Sequence, residues 1–168
     1  VFDSERDIYR FVTVRAHAGA TPLLDAADKE LFLTQLAATR KRFRVAVAGY
    51  AVLDDHAHLL LISAADQECG AIITDLRGGF QRAWRAKSPD APTAPLWAHG
   101  LEVREVDRST ELRAYLDFIH YDPVRHGLVA RAADYPWSSL PARVAQGIFS
   151  EDWATSGPPA GVAKVLRS

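Results

Sequence analysis

The sequence predicts an α+β fold, a ferredoxin-like sandwich whose antiparallel sheet carries helices packed mainly on one face. Three observations predict it. Short runs rich in β-branched and aromatic residues alternate with longer runs at helical spacing, in the order βα, a hairpin, then αβα. The two middle strand-like runs, 43–53 and 56–63, are separated only by Asp54-Asp55, which makes them an antiparallel hairpin. No internal repeat and no strong boundary interrupts the 168 residues, so a single domain, 1–168, is expected.

"IYRFVTVRAHA" (8–18) is most strand-like from Ile8 to Val14, and "GATP" then turns the chain. A helix follows over 25–43, with Phe32, Leu33, Leu36 and Ala37 on one side. Asp25 or Asp28 can cap its start, and Arg40, Lys41 and Arg42 suit the negative end of its dipole. A second helix is expected over 67–87. Its Gly78-Gly79 pair costs about 1 kcal/mol per glycine relative to alanine, so a kink or a close approach is expected there. "SPDAPTAP" (88–95) reads as a surface loop and 96–106 as a strand. Ser109 then opens a helix to about Tyr121, with Glu111 favouring its N-terminal dipole. Beyond Pro123 comes a short turn ending at Gly127. A C-terminal extension, 128–168, completes the chain, and its last 14 residues, from Thr155, are expected to be poorly ordered.

A hydrophobic content of 48% with 24% charged residues is that of an ordinary globular domain. No apolar run reaches the length of a membrane span, and "VFDSERDIYR" lacks the basic and apolar regions of a signal peptide, so no membrane partner and a cytoplasmic location are expected. The chain contains no methionine and is expected to start at a trimmed or unresolved boundary. The lone Cys69 excludes an internal disulfide and a cysteine-bound zinc. With a net charge of −1, any nucleic acid must be held by local patches.

"LDDHAHLLL" (53–61) sets His56 and His58 two apart in a strand-like run. Side chains at i and i+2 share a face of a strand, so the two imidazoles project together and form half of a divalent-metal site. His17, His99, His120 and His126 show no supporting spacing. The third ligand can come from "AYLDFIHYDPVRHGLV" (114–129), where Phe118 and Asp122 are neighbours if a helix reaches that far. Asp122 completes a two-His, one-carboxylate set for Mg²⁺ or Mn²⁺. Asp-Pro is also an N-cap followed by N1, and on the residues alone that capping role ranks first.

"LDDHAHLLL", "YLDFIHYDPVRHGLV" and "YPWSSLPARVAQGIFSEDWA", in that order, resemble the REP-associated tyrosine transposases, over roughly residues 8–155. The resemblance implies a ferredoxin-like domain acting on single-stranded DNA that carries repetitive extragenic palindromes, in the bacterial cytoplasm. It implies His56, His58 and Asp122 as ligands of a divalent metal, Mg or Mn. It also sets the family's nucleophilic tyrosine on Phe118, whose ring has no oxygen to attack phosphorus. An introduced Tyr-to-Phe change, a natural member that only binds DNA, and a substitute nucleophile at Tyr115 or Tyr121 are the three explanations. An unrelated His-x-His metallohydrolase ranks below all of them.

For DNA, "RKRFR" supplies Arg40, Lys41, Arg42 and Arg44 around Phe43, and the second helix supplies Arg77, Arg82 and Arg85 with Phe80 and Trp84 between them. Cations neutralise phosphates and aromatics stack on unpaired bases. The same residues also suit a solvated helix end and plain core packing. Monomer and homodimer stay equally open.

Overall fold

The computed structural model describes residues 7–91 and 93–168. Residues 1–6 of the segment read against a signal peptide, and Pro92 of the proline-rich loop, lie outside the described residues. The elements follow as β1 (Asp7–Arg15), α1 (Ala26–Phe43), β2 (Ala46–Val52), β3 (His56–Ala64), α2 (Cys69–Lys87), β4 (Glu102–Val106) and α3 (Leu112–Arg125). A 3-10 turn (Ala132–Asp134), α4 (Leu140–Ala145) and α5 (Ala160–Leu166) complete the order. The four strands lie in the order β2-β3-β1-β4, every neighbouring pair antiparallel. This is the expected ferredoxin-like α+β fold, but its helices do not pack mainly on one face: both faces of the sheet are apolar, and α1 and α2 cover one while α3 covers the other.

The period-2 alternation of the strands divides the molecule into two layers of core. Val12, Val14, Ala57, Leu59 and Leu61 turn to one face, where Phe32 and Leu36 of α1 and Ile72, Leu76 and Phe80 of α2 cover them. Tyr9, Leu60 and Ile62 turn to the other face, under Tyr115 and Ile119 of α3. His56 and His58 share the parity of Leu60 and Ile62, so they too face α3. The expected close approach in α2 occurs at Gly79, where a Cβ would lie 2.1 Å from the Gln35 side chain of α1.

Several boundaries differ from the sequence expectation, each for a local reason. β2 starts at Ala46 because α1 ends at Arg44, whose positive φ of 54° turns the chain. β4 starts only at Glu102: Trp97 forms an isolated bridge with Ala16, and Gly100, at φ 85°, breaks the run between them. Neither Asp25 nor Asp28 caps α1 with its side chain. Asp25 acts through its carbonyl, which accepts from Asp28 and Lys29, while Asp28 pairs with Lys87.

Ser109 does not open α3. Its N–H and that of Thr110 fold onto Asp107 Oδ1 at 2.9 and 2.8 Å, and the helix starts at Leu112. α3 then continues through Pro123 to Arg125, so the capping role for Asp122 is overturned. Pro123 forfeits a single N–H bond in the last turn, a loss set against the burial of Ile119 on the sheet and the partners that α3 brings to Asp122. Gly127, at φ 71°, closes the helix with its N–H on Val124 O.

The chain beyond Thr155 is not structureless. α5 docks on α3 because Gly161 has no side chain: a Cβ there would sit 2.7 Å from Ala114 Cα. Val162 is buried beside it, and Lys164 Nζ donates to Thr110 O at 2.7 Å. The extension also covers the free edge of β2, with Val52 N–H on Trp137 O and Ser139 N–H on Tyr50 O, both at 2.9 Å. Among the described residues no helix is long and apolar enough to cross a membrane.

Candidate metal centre

β3 begins at His56, directly after the Asp54-Asp55 turn, so its first two inward positions are imidazoles. α3 crosses above with Asp122 fully buried. Nε2 of His56 and Nε2 of His58 lie 3.1 and 3.3 Å from the same carboxylate oxygen, Asp122 Oδ2. The three donor atoms fall within 4.8 Å of one another.

The outer nitrogens of both rings are already engaged. His56 Nδ1 is 2.7 Å from Asp55 Oδ1, and since a carboxylate only accepts, Nδ1 carries the proton. Thr13 Oγ1 of β1 stands 3.1 Å from His58 Nδ1 and can accept its proton in the same way. Both rings then aim a bare Nε2 lone pair at a carboxylate lone pair. Three acceptors converging on one point need a cation or a shared proton between them, and the donor set fits a divalent ion. The second carboxylate oxygen, Oδ1, is held by Arg125, with Nη2 at 2.6 Å and Nε at 2.7 Å. His126 Nε2 lies 3.6 Å from it.

Ionisation follows the same geometry. Burial opposes the charge on Asp122, yet the adjoining imidazoles of His56 and His58 and the Arg125 guanidinium hold its carboxyl well below the usual range. Burial also opposes a charge on His56, but Asp122 and Asp55 together raise it above its ordinary value. His58 is more deeply enclosed, and burial lowers it.

Phe118 sits one turn before Asp122 on α3. Its ring centroid is 5.3 Å from that of His58 and 5.9 Å from that of Phe11, with the Arg125 guanidinium 5.3 Å from the ring centre. A cleft of about 260 Å³ opens here, lined by Phe118, His56, His58, Arg125 and, from the outer side, Val165 and Leu166 of α5. Neither Tyr115 nor Tyr121 lines it. Tyr115 is buried against Phe11, at 4.9 Å between ring centres, and faces a neighbouring cleft beside β4.

The structure does not bring the predicted DNA-binding residues to this centre. Arg40, Lys41, Arg42 and Arg44 lie at the C-terminal end of α1, whose 18 residues span about 27 Å. Arg42 is ion-paired with Asp75. Arg77 and Arg85 fasten the 93–100 loop, through Gly100 O at 2.8 Å and Ala94 O at 3.0 Å. Arg82 is exposed on α2. Conversely, sequence reasoning passed over Thr13, Asp55, Arg125 and His126. The last was set aside for want of supporting spacing, although it stands four residues after Asp122 on one helical face.

No protein-family model matches the chain. It is 26% identical over 109 residues to the "REP-associated tyrosine transposase" of Escherichia coli (strain K12), a match covering 64% of this chain and 62% of that protein. It is 29% identical over 110 residues to the "Putative REP-associated tyrosine transposase" of Haemophilus influenzae (strain ATCC 51907 / DSM 11121 / KW20 / Rd), covering 61% of this chain and 62% of that one. The chain therefore spans a little over three fifths of the length of these curated relatives. Its fold is similar to a solved structure of a REP-associated tyrosine transposase bound to a REP hairpin, with a TM-score of 0.76 at 20% identity, covering 88% of this chain and 85% of that one. By its motifs and its curated matches the chain is similar to the REP-associated tyrosine transposases, and its fold is similar to that of one of them.

Proposed function

We propose that this single-domain chain carries a site for metal-dependent cleavage and strand transfer of single-stranded DNA at REP hairpins, arrested at Phe118. One observation carries the reading: His56, His58 and Asp122 converge at one point, one helical turn from Phe118, at the floor of a cleft that both histidines and Phe118 line. His56 Nε2, His58 Nε2 and Asp122 Oδ2 would hold Mg²⁺ or Mn²⁺, ions that the hard Asp122 carboxylate favours. A divalent ion there supplies Lewis-acid polarisation of a phosphate and offsets its growing negative charge.

The chain's own residues do the rest. Asp55 and Thr13 fix the tautomers of the two imidazoles, and Arg125 neutralises the carboxylate oxygen that faces away from the histidines. Arg125 and Arg15 line the cleft as cations for a DNA phosphate. A tyrosine at 118 would attack phosphorus with its phenolic oxygen after losing its proton. The new O–P bond forms as the bond to O3′ breaks, and the 3′ oxygen leaves with the electron pair and takes up a proton. A 5′-phosphotyrosyl link and a free 3′-hydroxyl result, and reversal by another strand's hydroxyl joins DNA. Phe118 keeps the ring and removes the oxygen, so this chain binds without cutting.

Exposed Arg40, Lys41, Arg44 and Arg82 serve as phosphate contacts for the hairpin stem away from the centre, while Arg42, Arg77 and Arg85 are held by Asp75 and the 93–100 loop. This reading puts the chain in the bacterial cytoplasm with its DNA. The second reading, a hairpin-binding protein without chemistry, is favoured by Phe118 itself.

The test is Phe118→Tyr with a labelled REP hairpin and Mn²⁺. A denaturant-resistant protein–DNA adduct that disappears with His56→Ala is the expected result. Hairpin binding with no adduct would leave the recognition module. Cleavage by the unaltered chain would move the nucleophile to Tyr115 or Tyr121.

A further inference from the structure

Lys29 is a cation that the reaction proposed above does not use. It sits in the first turn of α1, and only 3% of it is exposed. A buried ammonium is costly unless it is paired. Its Nζ donates to Asp54 Oδ1 at 2.7 Å and to Leu24 O at 3.1 Å, and it lies 5.1 Å from the centre of the Trp137 ring. Trp137 belongs to "YPWSS" (135–139), a motif without a part in that reaction. Its indole N–H donates to Glu30 Oε1 at 3.1 Å, so α1 itself holds the ring over Lys29. The Trp137 carbonyl accepts from Val52 N–H at 2.9 Å, and the Tyr135 hydroxyl donates to Val52 O at 2.6 Å. The motif therefore grips the chain just before the Asp54-Asp55 turn.

That turn depends on outside support. A two-residue hairpin loop closes most readily through turns of positive φ, and neither aspartate has one. Ala16 N–H holds Asp55 O at 2.8 Å, and Lys29 holds the Asp54 side chain. The Asp55 side chain is 64% exposed, so the course of the loop, rather than packing, brings its Oδ1 to 2.7 Å from His56 Nδ1.

We propose that Lys29, roofed by Trp137, is a positioning residue for the metal centre; the inference rests on the metal reading above. By fixing Asp54 it sets Asp55 on Nδ1 of His56, and so keeps Nε2 bare for the ion. The contacts run from Trp137 to Lys29, Asp54, Asp55 and His56 in turn. Thr13, which serves His58 from β1, stands outside this latch. The sign of the effect separates positioning from charge. Deleting a cation near a metal site favours another cation there, whereas loss of the latch weakens binding.

The test measures Mn²⁺ affinity by calorimetry in Lys29→Met, Asp54→Ala, Asp55→Ala and the double variant Lys29→Met/Asp55→Ala. Each single change should weaken binding about tenfold, the low end for an outer partner of a ligating histidine. The double variant should lose no more than Asp55→Ala alone, because both changes act through one contact. Trp137→Leu should lose about threefold, while Trp137→Phe, which keeps a ring over Lys29, should stay near the unaltered chain. Proton exchange supplies the local signature. In the chain saturated with Mg²⁺, the His56 Nδ1–H resonance should be lost to water exchange in Lys29→Met while that of His58 stays sharp. Unchanged or tighter Mn²⁺ binding in Lys29→Met would overturn the latch, and the loop change Asp54→Ala decides if Lys29→Met does not fold. Losses that multiply in the double variant would overturn it too, as would loss of both histidine resonances together, which marks a general loosening. Failure of the unaltered chain to take up Mn²⁺ would overturn the metal reading and the latch with it.

Discussion

At the scale of single residues, the centre depends on two side chains that touch no metal. Asp55 and Thr13 each occupy the far nitrogen of an imidazole and thereby point Nε2 inward. Removing such a partner typically costs tenfold to a hundredfold in metal affinity. Asp55→Ala and Thr13→Val should each weaken Mn²⁺ binding by about that factor in calorimetric titration, while Thr13→Ser should stay near the unaltered chain. The pair His56 and His58 was legible in the sequence because a strand's period is fixed at two. Asp122 was only half legible: Asp-Pro is a good helix start, and nothing local says that α3 runs two residues past Pro123. Arg125 and His126 were legible in principle, since residues three and four beyond a helical carboxylate are its neighbours. Phe11, which stacks on His58 at 5.1 Å, comes from a different strand, and no local pattern predicts that pairing.

Two glycines show how helices meet in this fold, and they should respond differently to the same change. At Gly79 a Cβ would strike only the end of the Gln35 side chain, which can swing aside. Gly79→Ala should therefore be neutral or stabilising by up to about 1 kcal/mol, from helix propensity alone. At Gly161 the Cβ would strike the Ala114 backbone at 2.7 Å and the Asp117 carboxylate at 3.0 Å, neither of which can move without shifting α3 or α5. Gly161→Ala should cost about 1–3 kcal/mol in urea denaturation or release α5, seen as faster proteolysis after Thr155. The contrast explains what the sequence left unread at this scale. "TSGPPAGVAKVLRS" has the glycines and prolines of a loose tail, and only the approach of α5 to α3 turns Gly161 into a packing requirement. The paired glycines of α2 left a kink or a close approach open, because they interrupt an otherwise strong helical pattern, and the close approach occurs at Gly79 alone. The start of β4 was missed because Gly100 and the Trp97 bridge lie inside a run with continuous strand character.

Over the whole molecule, the buried histidines set how stability follows pH. His120 is fully enclosed between α3, Ser139 and the rings of Phe149 and Trp153, and burial pushes its imidazole down to about 3 from an ordinary 6.5. The unfolded chain takes up a proton near pH 6.5, whereas the folded one refuses it until about pH 3. The unfolded state thus binds more protons throughout that window. Stability from this group is complete above pH 6.5 and is lost as pH falls towards 3. At about 1.36 kcal/mol per unit, the loss is on the order of 2–5 kcal/mol. His58, also lowered by burial, acts in the same direction, and His56, raised by its two carboxylates, acts against it. A metal held at the cluster would add a separate slope, because imidazoles and carboxylate must shed their protons to bind it. The two can be separated with His120→Gln. In EDTA this variant should lose markedly less stability than the unaltered chain between pH 6.5 and pH 4. At pH 7.5, Mn²⁺ at a hundredfold excess over its Kd should still stabilise it by about 2.7 kcal/mol, as for the unaltered chain, because His120 bonds Ser139 rather than the metal centre. An equal pH slope in both proteins would mean that acid sensitivity resides in groups other than His120, among them Asp122, Asp107 and Glu102, whose carboxyls the fold holds low.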